Sequence, residues 1–358
     1  ETIRWAAKRG RTFAAQGQRH SVWGRSGARN GIVADMSTLH SVGRVQGDRI
    51  VVGAGVTWRE VLAATLPRGK TPPVLTDYLE LSVGGTLVVG GVGGTTSRYG
   101  VQSDNVIAMD VVTGTGEAIT CSAQSNSDLF DAVRAGLGQV GVITEATLEL
   151  VAAPEQVRRF VLFYPNLTGM LTDARLLSAD AGFDAVQGAI LAAPTGGLSF
   201  QLDVATFFTG NPPDDELLLA GLSDDPARRN PSTIAYVDYL ERLAGLEAAL
   251  RANGQWFHPH PWITTFIGDS HVESVVDDEL GSLIQRWTSV DSVRSCCPRS
   301  APERSPARCC GRRRRACVSR STSSGCRRPP TSTTPTGSWS PTGPCTNGSA
   351  APAARSTR

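Results

Sequence analysis

Read along the chain, apolar positions first recur with helical spacing: Ile3, Ala6 and Ala7 share one side of Glu1–Gly10, and Gly10 is a natural stop. Short strands follow at Arg11–Gln16, Gly31–Met36 and Arg49–Gly53. Thr57-Trp58-Arg59-Glu60 has the form of a capping box, in which a hydroxyl and a carboxylate satisfy the free amides at a helix start, and it predicts a helix through Leu66. Further strands are expected at Asn105–Val112, Glu117–Thr120 and Val142–Leu150, with a helix over about Ser127–Ala135. From Gln156 the texture changes. Val157–Tyr164, Ala185–Ala192 and Leu198–Phe208 read as strands, while Leu167–Ala179, Asp214–Leu222, Thr233–Leu250 and His271–Trp287 read as helices. In the third of these strands Leu198, Phe200, Leu202 and Val204 share one face and Ser199, Gln201 and Asp203 the other. The pattern predicts an α+β fold in two parts, residues 1–152 and 153–293, the second an antiparallel sheet covered by helices. The sheet's polar face is then free to close over something bound to the first part.

From Arg294 the periodicity stops, and charge sharpens the division. The formal net charge of +2 over 358 residues hides an acidic body and a tail, 294–358, with 13 arginines against the single acid Glu303. Cys121 is alone in the body, whereas the other seven cysteines fall in the tail, so the body has no disulfide framework. Three readings of the tail compete. A zinc module lacks histidine and C-x₂-C hooks, and a basic nucleic-acid-binding tail would be built on Arg312–Arg315. Codons of a G+C-rich gene read out of frame would yield this mixture of Arg, Ser, Pro, Thr, Ala, Gly and Cys and a break in mid-element after Trp287. The last reading is preferred, with no nucleic-acid partner expected; dispersed amide resonances from the tail would sink it. No apolar run approaches the roughly 20 residues of a membrane helix, so no membrane partner is expected. The start at Glu1, without methionine or signal-like segment, suggests a fragment missing its first strands, and compartment is not readable.

The chemistry concentrates in Leu75–Gly100, which holds Asp77 and then Gly84, Gly85, Gly90, Gly91, Gly93 and Gly94, with hydroxyls between them. Glycine lets the main chain approach a flat or anionic ligand closely. A flexible surface loop is the plainer alternative, but Leu81, Val83, Leu87, Val88, Val89 and Val92 make the run too apolar for a solvated linker. It is neither G-x-G-x-x-G nor a P-loop, since Ala64 stands where the latter needs glycine before Gly69-Lys70-Thr71.

Four motifs in order, G-x-x-H-S at Gly17–Ser21, T-D-Y-L-x-L-[ST]-V-G-G-T-L at Thr76–Leu87, G-L-G-Q-x-G-[VI]-I-T at Gly136–Thr144 and P-H-P-W at Pro259–Trp262, resemble the FAD-linked oxidases of the vanillyl-alcohol oxidase type, within them most the bacterial cytokinin dehydrogenases. The resemblance covers roughly Glu1–Val293. It implies a PCMH-type FAD-binding domain over 1–152, a substrate (cap) domain over 153–293, and no counterpart of the family's closing segment after Val293. It implies FAD bonded covalently to His20, with Gly17 and Ser21 beside the pyrophosphate and Gln18 and Arg19 also at the cofactor. It also implies that Ser82, Gly84, Gly85 and Thr86 lie along the flavin, and that the backbone of Val142 and Ile143 meets the adenine or ribityl part. Arg19 stands where the family usually has a small residue, so its side chain is expected to crowd the cofactor.

The same resemblance makes Asp77 the acceptor for the amine N–H of the substrate, and Asp203 the replacement, one methylene shorter, for a substrate-domain glutamate. Removing hydride from the carbon beside a secondary amine leaves an iminium, and a carboxylate can take the N–H hydrogen bond or proton. A turn or capping aspartate is the plainer reading of Asp77. The implied substrate is a small N6-substituted adenine, losing its isoprenoid side chain to give adenine and an aldehyde, with a quinone-like acceptor or oxygen reoxidising the flavin. The alternatives are an FAD-linked oxidase of another amine, alcohol or sugar, and a truncated or frameshifted product without activity. His258 and His260 are expected to be scaffold at the cavity edge, with no metal.

Overall fold

The computed structural model describes residues 1–295 except 23, 180, 181, 194, 195 and 261, and the backbone alone over 284–295. The arginine-rich tail with its three readings, and Pro261 of the P-H-P-W turn, lie outside the described residues. Glu1–Ile284 forms one compact unit.

After the helix Thr2–Lys8, strands β1 (Phe13–Gln16) and β2 (Ile32–Asp35) pair in parallel. Next come β3 (Arg49–Gly53), β4 (Lys70–Thr71), β5 (Val106–Thr113), β6 (Ala118–Ser122), β7 (Gly141–Glu149) and β8 (Val151–Ala152). An antiparallel sheet has the order β3-β7-β5-β6, and β4 pairs with β8. Alternate residues of these strands, among them Val52, Met109, Val111 and Leu148, point into one apolar core. The capping box forms as read: the Thr57 amide donates to Glu60 Oε2 at 2.8 Å and opens the helix Trp58–Thr65, which buries Trp58, Val61, Leu62 and Thr65 against that core. The glycine stretch is not continuous loop, for Val83–Leu87 and Thr96–Tyr99 are short helices.

The second sheet consists of β9 (Gln156–Tyr164), β10 (Ala185–Ala192), β11 (Leu198–Phe208) and β12 (Asn230–Ala235), all antiparallel in the order β10-β11-β9-β12. Leu202 and Val204 face the helix Leu167–Ala179 in a second apolar cluster with Phe160, Leu162, Met170 and Leu177. An α+β fold with a helix-covered antiparallel sheet is what the hydrophobic periodicity predicts.

The helix expected over Asp214–Leu222 is a single turn, Asp215–Leu218, the one expected over His271–Trp287 runs over Val272–Ser295, and a third element departs further from the reading. Thr233–Leu250 is not a single helix: Asn230–Ala235 adds to the edge of β9, and the helices Tyr236–Leu240 and Ala244–Ala252 follow. An edge strand tolerates Pro231, and β-branched Thr233 and Ile234 suit a strand better than a helix. Tyr236, Tyr239 and Leu240 then turn inward with Val157, Ala185 and Ala205 to join the first core, so that core spans both halves of the sequence.

Candidate functional site

The loop Gly17–Ser21 leaves β1 and meets the start of the helix Val83–Leu87. A Cβ on Gly17 would stand 2.2 Å from Ser82 Oγ, and one on Gly85 would stand 2.8 Å from the same atom. Bare backbone at these two positions therefore surrounds one hydroxyl, with Gln18–Ser21 and Gly85 open to solvent. Such a surface, without side chains between ligand and main chain, fits a flavin nucleotide. Other glycines of the stretch serve the protein itself: a Cβ on Gly84 would meet that of Ala54 at 2.8 Å, and one on Gly93 would meet the Leu75 carbonyl at 2.0 Å. The Ala54 amide donates to Thr144 O at 3.0 Å and the Gly84 amide to Ala54 O at 2.9 Å, so the Val142–Ile143 segment of β7 is tied to the cradle through one residue.

The side chains of two residues expected beside the cofactor, Thr86 and Ile143, point into the core, and of Ile143 only the backbone is expected to meet the ligand. Thr86 is buried, accepting the indole N–H of Trp58 at 2.8 Å and donating to the Val83 carbonyl at 3.1 Å. It lies one turn into the helix, on the face that also buries Val83 and Leu87, so its hydroxyl braces two helices. The side chain of Ile143 belongs to the first core, leaving only its main chain for a ligand, whereas Val142 is half-buried. Arg19, whose side chain is expected to crowd the cofactor, also has a φ of +64°, the left-handed region where a side chain is strained and glycine is not.

His20 stands at the centre of a ring cluster. Tyr78 packs edge-on at 5.0 Å between centroids and Trp256 at 6.2 Å, with His260 beyond Trp256 at 6.4 Å. Tyr78 donates its hydroxyl to Glu247 at 3.0 Å; Arg251 bonds Glu247 at 2.7 Å and lies 4.5 Å over Trp256. The rings and neighbouring chain desolvate the imidazole and push its pKa below the ordinary histidine value; Glu247 opposes this and Arg251 adds to it. The neutral imidazole, with its free lone pair, is thereby favoured. Trp262 of the P-H-P-W turn is 69% exposed, and among the described residues no group of three His, Cys, Asp or Glu side chains could hold a metal.

Asp77 lines a cavity with Pro72, Pro73, Tyr236, Tyr239 and Arg242. Arg242 Nη2 donates to Asp77 Oδ1, and Gln187 Nε2 donates to Asp77 Oδ2 at 3.0 Å. Gln187 of β10 is the cross-strand partner of Asp203 on β11, so both stand on the sheet face turned toward Asp77. Asp203 is fully engaged elsewhere: Arg159 Nε and Nη2 grip its two oxygens at 2.8 and 2.6 Å. The two aspartates are related through Tyr239, whose pKa burial drives up to about 12, with both carboxylates adding to the rise and Arg242 opposing it. Gln187 was legible as a polar position inside an apolar strand. Arg159, Arg242, Glu247 and Trp256 carried no local signal.

The glycine-lined cradle offers main chain to a flat or anionic ligand, and the cavity beside the helix-backed sheet offers a carboxylate to a hydrogen-bond donor. Residues 1–122 match the FAD binding domain family, and residues 213–292 match the family described as cytokinin dehydrogenase 1, FAD and cytokinin binding. The chain is 45% identical over 284 residues to an uncharacterized oxidoreductase, ORF5 of the fasciation locus of Rhodococcoides fascians, covering 79% of this chain and 65% of that one. It is 35% identical over 308 residues to cytokinin dehydrogenase 9 of Oryza sativa subsp. japonica, covering 76% of this chain and 59% of that one. Among solved structures, 6-hydroxy-D-nicotine oxidase of Arthrobacter nicotinovorans superposes with a TM-score of 0.58 at 24% identity, over 68% of this chain and 55% of that one, a likeness of fold. By these matches the chain resembles the FAD-linked oxidases of the vanillyl-alcohol oxidase (PCMH-type FAD-binding) superfamily, and among them it is similar to the cytokinin dehydrogenases. It spans less than two thirds of the length of these relatives.

Proposed function

We propose that this chain carries the site of a cytokinin dehydrogenase, oxidising the CH–NH bond of an N6-substituted adenine, with residues 1–152 holding FAD and residues 153–293 covering the substrate. The observation that carries the reading is the small cavity at Asp77: Tyr236, Tyr239 and Arg242, which line it together with the aspartate, all come from the segment that matches the cytokinin-binding family. FAD, when bound, would supply the two-electron acceptor, to be reoxidised by a quinone-like compound or oxygen.

The chain's own residues do the rest. Gly17, Ser82 and Gly85 offer main chain to the cofactor, Gly84 holds that segment against Ala54, and Gln18, Arg19 and Ser21 stand on the loop of Gly17 beside the cofactor. His20, kept neutral by its aromatic neighbours, is the residue for a covalent link through its lone pair. Asp77 accepts the substrate's N–H, and the imine left by loss of hydride and proton is hydrolysed by water to adenine and an aldehyde. Asp203 acts at one remove, orienting Arg159 on the sheet face rather than touching the substrate.

The test is acid precipitation of the purified chain followed by turnover of isopentenyladenine. A yellow pellet and bleaching of the flavin by this substrate are expected. In Asp77→Asn the yellow pellet should persist while turnover falls by about 10²–10⁴-fold, the usual contribution of a positioned acid–base group. A flavin that stays bound but is bleached only by a sugar or a simple alcohol would replace the adenine with another substrate, and a colourless native protein would remove the enzymatic reading from this chain.

A further inference from the structure

Among the residues lining the cavity beside Asp77, only Asp77 and Arg242 carry charge, one of each sign. Arg242 is held on three sides. Its Nη2 donates to Asp77 Oδ1 and, at 2.9 Å, to Gln187 Oε1; its Nη1 donates to the Tyr239 carbonyl at 3.0 Å; and the guanidinium lies 4.3 Å over the Tyr239 ring. The aspartate side chain is 36% exposed and the arginine 12%, so of the two charges lining the cavity the carboxylate is the more open and the guanidinium the more deeply packed. Arginine does not lose its proton in a protein, so this positive charge is permanent.

A lone carboxylate at a cavity wall draws in an ammonium, because a cation leaving water needs an opposite charge. With Arg242 against it, the wall is neutral as a whole: an entering cation meets attraction from Asp77 and repulsion from Arg242, and still gives up its hydration. A neutral N–H gives up far less on leaving water and still finds a lone pair on Asp77 Oδ2, where among the described residues only Gln187 donates at hydrogen-bond distance. We infer that Arg242 determines the charge of the ligand this cavity accepts, admitting a neutral N–H donor and turning away a protonated amine. The inference rests on the reading of Asp77 as the ligand's acceptor.

The test uses the full chain loaded with FAD and two probes of similar shape: N-prenylaniline, neutral at neutral pH, and N-prenylbenzylamine, protonated there. Binding is read from the perturbation of flavin absorbance and from the rise in thermal midpoint, without turnover. The wild type should bind the aniline at least about tenfold more tightly, Arg242→Gln should shift the ratio by about tenfold toward the benzylamine, and Arg242→Lys should keep the wild-type preference. An unchanged ratio in folded Arg242→Gln would overturn the assignment and leave the role of Asp77 standing. Preference of the wild type for the benzylamine would overturn it whatever the variants do, and failure of the wild type to bind either probe would remove the Asp77 reading with it.

Discussion

At the scale of single residues, the loop that carries His20 is held under backbone strain by its neighbour. Arg19 at φ +64° occupies a conformation that disfavours any Cβ. Arg19→Gly should therefore raise unfolding stability by on the order of 1 kcal/mol, despite the larger conformational freedom of glycine in the unfolded chain. Urea midpoints of the two proteins measure it, and a lower midpoint for the glycine variant would mean that Arg19 makes compensating contacts. His20 supplies a second prediction. Its pKa is lowered in the folded protein from about 6.5, the unperturbed value. Between the folded value and about 6.5 the unfolded chain thus binds more protons than the folded one, and stability rises with pH across that window and levels above it. His20→Gln should flatten this rise in a series of urea titrations from mildly acid to neutral pH; an unaltered slope would assign it to another group.

At the scale of elements, Thr86 joins the helix Val83–Leu87 to the helix Trp58–Thr65 through a buried bond to the Trp58 indole. Thr86→Val keeps the shape but leaves that N–H unpaired, and should cost about 1–3 kcal/mol in unfolding free energy. A variant as stable as the wild type that has lost flavin affinity would show that the hydroxyl serves the cofactor instead. This residue also marks where sequence reasoning stops. Hydroxyls at Ser82 and Thr86 look equivalent along the chain, but the helix that begins after Ser82 sends Thr86 into the core. The capping box at Thr57 was legible because it is a local contract among four residues. The strand Asn230–Ala235 was not, because Ile234, Tyr236, Tyr239 and Leu240 follow each other closely enough to mimic a helical stripe, and pairing with β9 decides otherwise. Asp77 was legible from its motif, and so was the polar face of β11. The arginines that hold the two aspartates lie 165 and 44 positions away in the chain, and no spacing rule reaches them.

At the scale of the whole molecule, the sheet β9–β12 is bound to the glycine-rich half by more than adjacency. Tyr236, Tyr239 and Leu240 are buried in the same core as Trp58, Leu75 and Val83. Phe207 packs edge-on against both Tyr236 and Tyr239, at 5.3 and 5.5 Å. Ion pairs cross the same seam: Arg59 with Glu241, Arg98 with Asp184 and Arg242 with Asp77. The exposed Arg59–Glu241 pair contributes little and the other two are half-buried, so the buried rings carry most of the coupling. Glu1–Ile284 should therefore unfold as one cooperative transition, with calorimetric and van't Hoff enthalpies in agreement. Tyr239→Ala, which truncates a buried ring, should cost about 3–5 kcal/mol. Because that ring also backs Arg242, the same variant should loosen the Asp77–Arg242 pair while the protein is still folded. Two calorimetric peaks in the wild type would mean that the sheet can leave the FAD-binding half on its own. In that case Arg242, which reaches Asp77 from just beyond the sheet's last strand, would meet the aspartate only when the two halves are closed, and the cavity's charge balance would become a property of closure.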